Sequence, residues 1–170
     1  MVESHSKHIL SIMVDNEPGV LARVVGLFSG RGYNIESLSV SEVDSDRFLS
    51  RVTVVTSGTK NIVDQIKAQL LKLIPVHNLI DISELKTFIG KELILIKLDV
   101  KKKSVSKIYN NVKDYGAKIL FDNKSEMIIE FSGTPTEISS IIKMFRSYNI
   151  IELTRSGLVS MASGKDYIKK

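Results

Sequence analysis

Asp15-Asn16-Glu17-Pro18-Gly19 constrain this chain more than any other residues, because the apolar pattern changes period across them. Before them stands His8-Ile9-Leu10-Ser11-Ile12-Met13-Val14, a short apolar run that reads as a mostly buried strand. After them Val20, Leu21, Val24, Val25, Leu27 and Phe28 recur at spacings of three and four, the stripe of an amphipathic helix. Polar residues ahead of Pro18 are helix-capping types, and proline suits a first helical turn, where its missing N–H has no partner to lose. Gly30 and Gly32 close the stripe, so Gly30-Arg31-Gly32 ends a helix and does not open a dinucleotide loop.

The same grammar continues. Tyr33 to Val40 and Phe48 to Thr56 read as two strands joined through Asp44, Ser45 and Asp46, a hairpin. Ile62, Ile66, Leu70 and Leu73 mark a second helix that Pro75 should stop, and Val76 to Ile82 a closing strand. The order βαββαβ then recurs. Glu92 to Val100 is strand-like; Val105, Ile108, Tyr109 and Val112 form a helical stripe; Ala117 to Phe121 and Met127 to Gly133 are strands. Ile138, Ile141, Ile142 and Phe145 mark the last helix, and Ile150 to Met161 one or two final strands. The expectation is an α+β chain of two ferredoxin-like units, 1–82 and 92–170, joined by a linker at 83–91. In each, two helices cover one face of a four-stranded sheet and the other face stays open for a second subunit. Units this small are marginal alone, which also favours oligomerisation.

Composition removes several classes of function. The chain has no cysteine, so disulfides, thiolate metal sites and thiol nucleophiles are excluded. No apolar run of about 18 residues exists, and Met1 to Lys7 lacks the apolar core of a secretory signal; a cytoplasmic protein without a membrane span is expected. Net charge is +5, carried by the second half: 8 basic and 9 acidic residues precede Ile82. Scattered lysines suit plain solvation as well as a polyanion. An RNA-recognition domain would need exposed aromatics on its central strands, and Phe48 to Val54 has one, at its start. An acylphosphatase-like enzyme would need an Arg-bearing phosphate loop where this chain has Asp15 and Glu17. His5, His8 and His77 have no metal-ligand spacing, and no serine sits in a nucleophile elbow. No catalytic residue is expected.

A binding site is more plausible than a catalytic one. A helix N-terminus after Gly19 presents free N–H groups and partial positive charge, and a glycine lets a carboxylate approach closely. Asn16 and Asn34 each carry an acceptor and a donor, which suits the adjacent anion and cation of an α-amino acid. The same residues also suit purely structural parts: Asn16 as a cap, Gly19 as a tolerated small residue, Asn34 as a strand entry.

Asn16 to Leu38 resembles the N-terminal ACT domain of the regulatory small subunit of acetolactate synthase, also named acetohydroxyacid synthase. The Pro18-Gly19-Val20-Leu21 turn is shared by ACT domains in general, whereas Arg31-Gly32-Tyr33-Asn34-Ile35-Glu36-Ser37-Leu38 is characteristic of this family. Glu92 to Lys97, Gly133-Thr134-Pro135 and Glu152 to Gly157 are also family-like. The resemblance implies a non-catalytic subunit that binds a branched-chain amino acid, most often valine. It implies activation and feedback inhibition of a separate catalytic large subunit, which would carry thiamine diphosphate, magnesium and FAD; no cofactor is expected on this chain. Effector contacts carried over by motif fall on Asn16, Gly19 and Asn34, with Val14, Pro18, Val20 and Ile35 beside them, at the interface of an ACT homodimer. An ACT sensor that regulates a different enzyme is the alternative.

Overall fold

A computed structural model describes residues 5–100, 105–123, 125–165 and 167–168; residues 1–4 of the N-terminus lie outside it. β1 (Ser6–Asp15) leads through the turn into α1 (Val20–Ser29); β2 (Ile35–Asp44), β3 (Leu49–Gly58), α2 (Lys60–Leu70) and β4 (Val76–Asp81) follow. The sheet order is β2-β3-β1-β4, antiparallel throughout, which is the ferredoxin-like arrangement. Strand alternation sorts side chains to two faces. Leu10, Ile12 and Val14 of β1 and Val52 and Val54 of β3 face the helices, where Val20, Val24 and Phe28 of α1 and Val63, Ile66 and Leu70 of α2 close a core.

After a short 3-10 turn at Ile82–Glu84, β5 (Phe88–Asp99), α3 (Val105–Asp114), β6 (Lys118–Asp122), β7 (Glu126–Gly133), α4 (Pro135–Phe145) and β8 (Ile150–Arg155) repeat the pattern. Their sheet order, β6-β7-β5-β8, matches that of the first sheet once each unit is numbered from its own first strand. α4 opens on a complete capping box. The Thr134 hydroxyl accepts from the Glu137 N–H at 3.3 Å, and the Glu137 carboxylate accepts from the Thr134 N–H at 2.6 Å. Ile94, Ile96, Met127, Ile129, Ile138, Ile141 and Phe145 are buried in this second core.

The chain's contacts divide it differently from the sequence reading. Met1–Ile89 together with Leu158–Lys170 make one compact unit, and Gly90–Gly157 the other. The stretch 83–91 is therefore not a loop linker: β5 has already begun at Phe88, and Ile82 just before it is fully buried. Nor does the face of the first sheet opposite its helices stay open. β9 (Val159–Ala162) pairs with β5, and Leu158 packs there with Ile9, Val55 and Ile82, its N–H bonded to Ser37 Oγ at 3.1 Å. His8, the first residue of the run read as a strand, is 6% exposed inside β1, its Nδ1 2.7 Å from Asp81 Oδ2 on β4.

Candidate functional site: the β1–α1 turn and the start of β2

The turn is anchored on three sides. Asp15 donates its N–H to Pro75 O at 2.9 Å, and its carboxylate lies 2.5 Å from His77 Nε2 at the head of β4. Asn16 donates its N–H to Phe48 O at 2.6 Å. Its side-chain amide donates to Glu42 Oε1 on β2 at 3.2 Å. Asn16 is thus not the helix cap that the sequence reading allowed, and Pro18 lies before the helix instead of in its first turn. The N-cap is Gly19, held at φ 85°, ψ −7° in the left-handed region, and no side chain caps the helix. An L side chain adopts that conformation only with strain. Of the first-turn N–H groups of α1, that of Val20 donates to Glu17 O at 3.3 Å within the turn, and a Cβ placed on Gly19 meets nothing within 4 Å. The turn therefore offers an uncapped, sterically open helix N-terminus.

The other expected contacts separate into groups. Pro18, Asn16 and Gly19 are exposed together at the turn. Val14 and Val20 are 2% and 4% exposed, so their side chains belong to the core and only their backbone faces the turn. Asn34 is exposed just ahead of β2, its carbonyl accepting from Thr56 Oγ1 at 2.7 Å, while Ile35 packs half-buried against the core. Beside Asn34, the Glu36 carboxyl is held below its ordinary value, first by its hydrogen bond with Lys7 at 2.8 Å and then by Ser57.

Strand register decides whether these groups can meet. Asp15 pairs with Leu49 of β3, whereas Ile35 pairs with Thr56. Leu49 to Thr56 spans about 24 Å at roughly 3.4 Å per residue. The turn and Asn34 consequently stand at opposite ends of one sheet, and no small ligand touches both within one chain. β2 is also an edge strand, with Val40 and Val43 exposed on it at 41% and 42%. Glu42, which holds the Asn16 amide, carries no sequence signal, because no motif links a turn residue to a strand residue 26 positions away. Among the described residues no group of three or more His, Asp or Glu side chains is placed to hold a metal ion, and no helix is long and apolar enough to cross a membrane.

Residues 10–78 match the model of the AHAS small subunit-like ACT domain, and residues 91–164 match that of the small subunit of acetolactate synthase. The chain belongs to the acetolactate synthase small-subunit family. A probable acetolactate synthase small subunit of Archaeoglobus fulgidus is 39% identical over 158 residues, covering 93% of this chain and 98% of that one. The isozyme 3 small subunit of Escherichia coli is 33% identical over 159 residues, 93% of this chain and 96% of its own. A crystal structure of the Thermotoga maritima small subunit superposes with a TM-score of 0.87 at 29% identity, covering 95% of this chain and 99% of that one. The ACT assignment and the ferredoxin-like fold thus agree in sequence and in space.

Proposed function

We propose that this small subunit is the non-catalytic regulator of an acetolactate synthase large subunit, which it activates and makes sensitive to a branched-chain amino acid, valine above all. The large subunit would carry the thiamine diphosphate, magnesium and FAD of the reaction, and the pair would work in the cytoplasm. The observation that carries the effector site is the 24 Å separation, about the length of seven strand residues, between two open, polar half-sites on one sheet. In a two-fold homodimer the turn of one copy meets Asn34 of the other, and each interface gains two complete sites. The exposed β2 edge supplies unpaired N–H and C=O groups through which two copies can join.

Each half-site then has a part in recognition. The uncapped α1 N-terminus and the open backbone at Gly19 receive the carboxylate, and the asparagine amides hold the remaining polar atoms. A ligand that bridges two copies binds one relative placement of them better than others, and that difference in affinity is what transmits inhibition. Coupling of about 1–3 kcal/mol is ordinary for such linkage. The test is co-purification with an acetolactate synthase large subunit, assayed with and without valine. The chain should raise the large subunit's activity, and valine should lower it only when the chain is present. Unchanged activity and an unchanged valine response would refute the proposal.

A further inference from the structure

Apart from the β1–α1 turn, the first unit holds a partly open cavity of about 170 Å³ on the sheet face opposite the helices. Its floor is Ile80 and Ile82, and Met161 and Tyr167 stand over it. Among the described residues Arg51 is the cation that lines it. Arg51 lies on β3 across from Met13, and its Nε donates to Ser11 Oγ at 2.7 Å; Ser11 in turn pairs with Ile80. The guanidinium therefore reaches over β1 toward β4, into the apolar space. Burial lowers its pKa, and among the described residues it has no carboxylate partner. A half-buried guanidinium with one of its five N–H groups used is an unfilled fork for an anion.

Size and lining narrow the ligand. An apolar cavity of about 150 Å³ holds a six-carbon ring, so this one, of about 170 Å³, suits about seven non-hydrogen atoms, with a carboxylate reaching its open rim. Among the described residues no acidic side chain lines it, so an α-ammonium group would find no counter-charge among them. We propose that the cavity beside Arg51 binds a short branched aliphatic carboxylate lacking an amino group, its carboxylate on the Arg51 fork and its branched tail against Ile80 and Ile82. This site is separate from the effector site proposed above and does not depend on it.

The test is calorimetric and NMR titration of the full chain with 4-methylpentanoate. Leucine serves as the amino-bearing analogue and 4-methylpentan-1-ol as the uncharged one. Expected is saturable binding of 4-methylpentanoate, with both analogues at least about tenfold weaker. Arg51→Lys keeps the charge but loses the fork and should weaken binding about tenfold. Met161→Trp, at a position 62% exposed on the cavity's rim, should fill the space and abolish binding while circular dichroism stays unchanged. Valine titration of the same variants should match the parent chain, which separates this site from the turn. No binding at millimolar concentrations, binding unaffected by Met161→Trp, or equal binding of leucine would overturn the proposal.

Discussion

Because the turn and Asn34 stand about 24 Å apart in one chain, at about 3.4 Å per strand residue, a shared site predicts complementation between defective chains. Asn16→Ala damages the turn half, and Asn34→Ala the strand half. Each loss removes a hydrogen bond to a charged group, about 1.5–3 kcal/mol, or roughly 12- to 150-fold in valine affinity. Chains of the two kinds, unfolded together and refolded, form mixed dimers. In a mixed dimer one site combines the intact turn of the Asn34→Ala chain with the intact Asn34 of the Asn16→Ala chain; the other site combines both defects. Equal random mixing makes about half of the dimers mixed, so about one quarter of the parental high-affinity sites should return. Calorimetry reads that fraction as stoichiometry at parental affinity. A site built within one chain would return none. Absence of any high-affinity fraction in a mixture shown by mass spectrometry to contain mixed dimers would refute the trans arrangement.

Other consequences are quicker to check. Gly19→Ala should lose about 1–2 kcal/mol in urea unfolding from the left-handed backbone alone, since the added Cβ meets nothing within 4 Å. Gly19→Asn tolerates that conformation and should regain most of the stability while still weakening valine binding. Phe28→Ala, at a fully buried position of the first core, should cost about 3–5 kcal/mol by the same assay. The Glu36 carboxyl should titrate below its ordinary value of 4.5 because the Lys7 hydrogen bond favours its charged form. Its contribution to stability is then complete above pH 4.5 and lost as pH falls through the lowered folded value. Side-chain carbon NMR would show this, and Lys7→Ala should move the midpoint back up.

The architecture was readable where each residue's pattern and its packing agree. Leu10, Ile12 and Val14 alternate because one sheet face is a core, and Val20, Val24 and Phe28 step by four because one helix face meets it. The reading slipped where an apolar residue packs outside the element that its spacing suggests. Leu73 continues the α2 stripe and packs on the core, yet the helix ends at Leu70 and Leu73 donates its N–H to Leu70 O at 3.0 Å in a tightened turn. Pro75 bounds the segment without being what ends the helix.

The site divided along the same line. Of the proposed contacts, Gly19 and Asn34 carry local signals, one a backbone position at positive φ and the other a motif. The structural alternative of Asn16 as a cap fails because its side chain bonds Glu42 on β2, a partner no local pattern indicates. The covering of the first sheet by Leu158 was hidden for a similar reason: Ile9, Val55 and Ile82, its partners, all lie more than 70 residues earlier. Local sequence encodes a residue's own conformation strongly and its distant partners weakly, since long-range contacts are chosen by which faces remain unburied after the local elements form. The proposed interfacial site is the extreme of that rule. Its partner residue would lie on a second copy, and only the register of β3, which sets the turn and Asn34 at opposite ends of one sheet, points to that copy from a single chain.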